Sequence, residues 1–234
     1  MRKKHYRATS IVTAALFAAG ITGAQAAVVT LNNTVVISDT ETTTEVMTWG
    51  ENNLSMMGES SEMNGVSSYM GSVSGSMGEM PVWDYSWTLT ADPDPFIAGT
   101  FTVTNTSSSD QTFDITFGLP ISPSFTNGYM TGSLSGSYFD ADNDGSATLS
   151  LNTWEGLIDG SSEMNLFGFA GPCIGTGCSV DIGEVTQGPT LYTGDVNSTI
   201  GIHMNFSLSA GDSVTFDTLF DVTPVPVPAA VWLF

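Results

Sequence analysis

Apolar and polar residues alternate with a period of two along much of the chain after residue 80. Trp83, Tyr85, Trp87 and Leu89 fall on one side, and Asp84, Ser86, Thr88 and Thr90 on the other. A half-buried β-strand requires this pattern. Such an aromatic row could also stack on sugar rings, but its strict periodicity favours a core. Phe101 and Val103 lead into the polar turn Asn105-Thr-Ser-Ser-Ser-Asp110, after which Phe113, Ile115 and Phe117 alternate with Thr112, Asp114 and Thr116. That spacing predicts a hairpin. Ile200, Ile202, Met204, Phe206 and Leu208 share one face of a later strand, with Thr199, Gly201, His203, Asn205 and Ser207 on the other. Ala210-Gly-Asp212 then turns the chain into a strand over 214–222.

Less regular strands are expected over 27–37, 40–48, 129–139, 147–151, 164–169 and 180–185. Asp92-Pro-Asp-Pro95 is a turn, and Leu119-Pro-Ile-Ser-Pro123 interrupts a ladder, because proline cannot sit in a central strand. Residues 51–80 are rich in Ser, Gly, Glu and Asn and, with Met47, hold seven of the eleven methionines. Their irregular spacing and the lack of a nearby His fit loosely packed strands or a flexible loop better than a copper site. About ten strands separated by Gly, Ser, Asn and Pro turns predict an all-β fold, an antiparallel β-sandwich or jelly roll.

The two ends differ from this body. Arg2, Lys3, Lys4 and Arg7 precede an apolar run from Ile11 to Ile21, and Ala24-Gln25-Ala26 supplies small residues for cleavage before Ala27. This is the layout of a secretory signal peptide, too short in its apolar core for a membrane helix. The expected division is therefore a signal peptide over 1–26, one β-ectodomain over 27–222 and a Pro-rich spacer with an apolar end over 223–234. About 200 mature residues suffice for a real core.

Removal of residues 1–26 changes the electrostatics. All four Lys and Arg lie there and all 24 Asp and Glu lie after it, so the formal charge goes from −20 to −24. A surface without a basic patch excludes nucleic acid as a partner and disfavours nucleotide and phosphoryl-transfer chemistry. It suits salty surroundings, where screening over about 8 Å weakens self-repulsion.

The tail Val225-Pro226-Val227-Pro228-Ala229, followed by Ala-Val-Trp-Leu-Phe234, resembles the PEP-CTERM class of C-terminal sorting signals, in the variant whose signature is V-P-L-P-A. Val227 departs from that signature. The resemblance implies processing by the membrane enzyme exosortase in a Gram-negative, exopolysaccharide-producing cell. It implies a final place in the envelope, on the surface or in the extracellular matrix. In that family a Gly-containing membrane helix and an Arg-rich end follow the motif, and the expectation is that this sequence is cut short of both. Membrane contact would come only through that missing segment. The body resembles, loosely, the β-rich ectodomains that stand in front of such tails.

Candidate chemistry is sparse. Cys173 and Cys178, in Gly-Pro-Cys-Ile-Gly-Thr-Gly-Cys, are the only cysteines, and in an exported chain they are expected to form a disulfide. A metal site there lacks further ligands. Asp140-Ala-Asp142-Asn-Asp144-Gly145 places carboxylates at the first, third and fifth positions and glycine at the sixth, a spacing that can curl around Ca²⁺. The twelfth position is Leu151 where an EF-hand needs glutamate, so the choice lies between a β-loop calcium site and a solvated turn. No other cofactor is indicated. A Ser-His-Asp triad would have to use His203, the one histidine after the leader, and no G-x-S-x-G elbow occurs. Glu155 and Asp159 could be offered as a glycosidase pair. The sequence reads best as a non-enzymatic exported protein associated with extracellular polysaccharide, with a calcium-dependent carbohydrate-binding module and a polysaccharide hydrolase as alternatives.

Overall fold

The computed structural model describes residues 31–37, 43–49, 58–63, 66–77, 80–92, 95–121, 123–167 and 171–226. The leader with its cleavage residues Ala24, Ala26 and Ala27 lies outside them. So do Val227, Pro228 and Ala229 of the sorting motif, whereas Val225 and Pro226 are included.

The described chain is all β. Its first strands are β1 (Leu31–Ile37), β2 (Thr43–Trp49), β3 (Gly58–Met63), β4 (Val66–Met77), β5 (Met80–Asp92), β6 (Phe96–Asn105), β7 (Gln111–Pro120) and β8 (Phe125–Phe139). Then come β9 (Ser146–Ala147), β10 (Leu149–Ile158), β11 (Ser161–Leu166), β12 (Cys173–Ile174), β13 (Ser179–Asp181), β14 (Val185–Val196), β15 (Thr199–Leu208) and β16 (Ser213–Pro224). Every pairing is antiparallel.

Eight of these strands form a jelly roll. One sheet has the order β6-β16-β8-β14 and the other β7-β15-β10-β11. The pairs β6·β16, β7·β15, β8·β14 and β10·β11 are nested, as in one long hairpin rolled over on itself. The strands β5, β4 and β3 extend the first sheet beyond β6, and β1 and β2 extend the second beyond β7. The sixteen strands among the described residues exceed the expected ten. The surplus comes from β3 and β4 in the Ser/Gly/Met stretch, from the short pieces β9, β12 and β13, and from the polar β14.

The alternation expected from sequence is what the two sheets bury. Trp83, Tyr85, Trp87 and Leu89 are all at most 5% exposed, so this row belongs to the core and offers no platform for sugar rings. Across the sheets, Phe101 meets Phe117 with ring centroids 5.3 Å apart, and Phe206 meets Phe216 at 5.0 Å. Trp154 of β10 stands edge-on to Phe220 of β16 and donates its indole N–H to Thr218 Oγ1 at 2.7 Å, so its one polar atom is satisfied inside the core. Two glycines make room for these rings. A Cβ at Gly132 would lie 2.9 Å from the Trp154 ring, and one at Gly156 would lie 2.5 Å from Phe220.

Candidate functional site

The Asp loop leaves β8 at Phe139 and is curled by its own carboxylates. Asp144 N–H donates to Asp140 Oδ1 (3.1 Å) and to Asp142 Oδ1 (3.0 Å), Gly145 N–H to Asp140 Oδ2 (3.1 Å), and Ser146 N–H to Asp144 Oδ1 (2.9 Å). The turn requires φ of 64° at Asn143 and 104° at Gly145, and these residue types tolerate that region. The result brings Asp140, Asp142 and Asp144 together, with one oxygen of each within 4.8 Å of the others. Asp140 is buried and the other two are exposed.

The disulfide loop clasps this turn. Cys173 and Cys178 are bonded, as expected from sequence. Gly177 N–H donates to Asp140 Oδ2 at 2.9 Å, Asp140 N–H to the Cys178 carbonyl at 3.0 Å, and Gly175 N–H to the Gly145 carbonyl at 2.9 Å. β12 pairs with β9 directly after the Asp loop. Two segments about thirty residues apart in the chain thus make one unit. Burial by itself would raise the Asp140 pKa, but the amides of Gly177, Gly145 and Asp144 outweigh it and hold the carboxyl below its usual range.

The oxygen chemistry fits a hard cation. Carboxylates are calcium ligands, each has two oxygens, and the hydrogen bonds to Asp142 and Asp144 engage only Oδ1. Asp140, Asp142 and Asp144 are therefore the residues that would hold such an ion. Leu151, at the EF-hand's glutamate position, packs against the core from β10.

The other candidates are occupied. His203 lies on the outer face of the second sheet between carboxylates of two neighbouring strands. Its Nδ1 is 2.8 Å from Glu155 Oε2 of β10 and its Nε2 is 3.2 Å from Asp114 Oδ1 of β7. Asn205 Nδ2 donates to the second oxygen of Asp114 at 3.0 Å. Partial burial draws the imidazole pKa down, yet the bonds to Glu155 and Asp114 outweigh this and hold it above its ordinary value. An imidazole with both nitrogens engaged by carboxylates has none free to serve a nucleophile. The sequence offered no sign of this row, because Asp114, Glu155 and His203 come from three strands that only the register places side by side.

Asp159 is committed too. It accepts the N–H groups of Asn197 (2.9 Å), Ser198 (2.8 Å) and Thr199 (3.0 Å) and the Ser198 hydroxyl (2.7 Å). Against the rise that burial would cause, these donors lower its pKa to about 2. Glu155 and Asp159 are thus each held by separate partners. On the outer face of the first sheet, Thr88, Thr90, Thr100, Ser133, Ser135 and Asp217 line a shallow open groove of about 320 Å³. Within it the Thr100 hydroxyl donates to Asp217 across the β6–β16 pair.

No protein-family model matches the chain, and no curated protein matches it.

Proposed function

We propose that this chain is an exported, non-enzymatic jelly roll of a bacterial envelope or extracellular matrix, routed there by its leader and its Pro-spaced tail and working beside exopolysaccharide. The observation that carries this reading is the Cys173–Cys178 disulfide in a chain whose Lys and Arg are confined to its first seven positions. A disulfide fits an oxidising compartment, and an all-acidic body fits a hydrated, salty one. The commitment of His203 and Asp159 to neighbouring groups supports a binding or structural role over hydrolysis. The test is fractionation of a Gram-negative, exopolysaccharide-producing host carrying the full gene, with and without its exosortase. Surface or matrix location that depends on the enzyme is expected. Equal location in both strains overturns the sorting reading.

A second reading, a calcium-dependent carbohydrate-binding module, is favoured by the convergence of Asp140, Asp142 and Asp144. It predicts Ca²⁺ uptake in equilibrium dialysis and a calcium-dependent signal on a glycan array. Blanks in both remove it.

A further inference from the structure

The turn between β15 and β16 lies against the Asp loop and carries a fourth carboxylate. The register of β16 on β8 sets Ser213 opposite Phe139, so Asp212 comes level with Asp140 one step beyond the ladder. The approach is close. A Cβ built on Gly211 would lie 2.2 Å from Asp142 Oδ2, so only glycine leaves room for that carboxylate. Asp212 is fully buried. Its Oδ2 accepts the Ser209 hydroxyl, while its Oδ1 has no hydrogen-bond partner.

Beyond the Ser209 hydroxyl and the Ala141 amide, the protein supplies this carboxylate with no positive charge. No Lys or Arg occurs beyond residue 7, and the later histidine, His203, is held by Glu155 and Asp114 on the sheet face. A buried carboxylate without a partner is costly, by several kcal/mol for an ion left uncompensated. A proton would answer Asp212 alone and leave its three neighbours repelling one another. A divalent cation held by Asp140, Asp142 and Asp144, whose oxygens converge within 4.8 Å, would lie beside Asp212 and offset its charge as well.

We propose that Asp212 is the fourth carboxylate of a calcium site shared with Asp140, Asp142 and Asp144, so that a bound ion ties the β15–β16 turn to the loop after β8. The proposal rests on the calcium reading of the Asp loop and extends it to a segment about seventy residues away in the chain. Calcium suits the site because it takes six to eight oxygen ligands in adaptable geometry, with carbonyls and water completing the set, whereas Mg²⁺ demands a near-ideal octahedron.

The experiment uses the oxidised, chelator-treated mature chain, with calorimetric CaCl₂ titration, thermal unfolding and amide hydrogen exchange. The wild type is expected to bind with Kd of about 10⁻⁴ to 10⁻³ M and to unfold at higher temperature in calcium. Asp212→Asn, which preserves shape, is expected to weaken binding at least tenfold and to remove most of the thermal shift. In the wild type, calcium is expected to slow exchange at 209–213 as well as at 140–146, a readout that needs no variant to fold. No binding up to about 10 mM, tenfold above that range, overturns both the calcium reading and this proposal. Binding that Asp212→Asn leaves unchanged, or protection confined to 140–146, overturns the role of Asp212 alone and leaves the Asp loop as a calcium site.

Discussion

The two ends of β10 each carry an aspartate hub, and they are built on opposite accounts of donors and acceptors. Beyond Ile158, Asp159 is one carboxylate facing three amides and a hydroxyl from the β14–β15 connection. Every strong direction around it is used, so it works as a clip between two turns. Before Leu149, Asp140 likewise accepts three amides, but Asp142 and Asp144 converge on it with hydrogen bonds that engage only their Oδ1 atoms, and Asp212 stands beside them with a buried oxygen that no hydrogen bond engages. A carboxylate that is saturated by N–H groups is structural. A group of carboxylates with oxygen to spare is a place for a cation.

Four measurements would break or sharpen this contrast. The largest effect belongs to the residue between the hubs. Trp154→Ala is expected to cost about 3–5 kcal/mol in urea unfolding and to destabilise equally with and without calcium. A calcium-dependent loss would mean that the hubs are not independent of the core strand that joins them.

Next comes Asp159→Ala, expected to cost about 2–3 kcal/mol through several charge-assisted hydrogen bonds, with no change in calcium response. Its folded pKa of about 2 lies below the ordinary aspartate value of 3.8. Its contribution is therefore complete above roughly pH 4 and is lost as the pH falls towards 2. The gap between wild type and variant should close over that window, and a gap that persists at pH 2 would refute the charge assignment.

The double change Cys173→Ser and Cys178→Ser removes a six-residue ring, worth about 2 kcal/mol on the chain-entropy estimate. Because Gly177 and the Cys178 carbonyl clasp Asp140, calcium affinity should fall with it. The Asp159 end should keep its acid transition unchanged. The smallest effect is on the sheet face, where His203→Gln should cost less than 1 kcal/mol. The His203 pKa is raised above 6.5, so its pairing with Glu155 and Asp114 stabilises fully below pH 6.5 and is lost as pH climbs through the folded value. The difference between wild type and variant should shrink on alkalinisation from pH 6; a difference that grows would reverse the sign argued here.

Much of the fold was legible because burial on one face enforces a period of two. The aromatic row of β5, the hairpin of β6 and β7, and the late strands β15 and β16 follow the alternation residue by residue. Other strands escaped it for physical reasons. β14 is polar, mostly exposed and interrupted at Pro189, where its register on β8 shifts. An edge strand paired on one side tolerates both the proline and the lack of an apolar face. The expected strand over 180–185 splits instead into β13 and the start of β14, with Gly183 at φ 79° between them. β10 runs on to Ile158, beyond the expected end at residue 151, since Trp154 and Ile158 supply a buried face that Glu155 and Asn152 obscure in sequence.

The Asp loop and the disulfide could be read locally, since each is a contiguous motif. That they form one unit could not be, and nor could the place of Asp212, which read as an ordinary turn residue. Its burial and its missing partner arise from a ladder that spans 139 to 213.

The nested pairing also makes completion of the first sheet depend on the last strand. β16 is the last strand of the roll in sequence, yet it occupies the position between β6 and β8 and supplies hydrogen bonds to both. Until it arrives, the first sheet is open along two facing edges, and the closing contacts join Phe101 to Phe216 across more than a hundred residues. A chain emerging from its amino end therefore cannot complete this domain early.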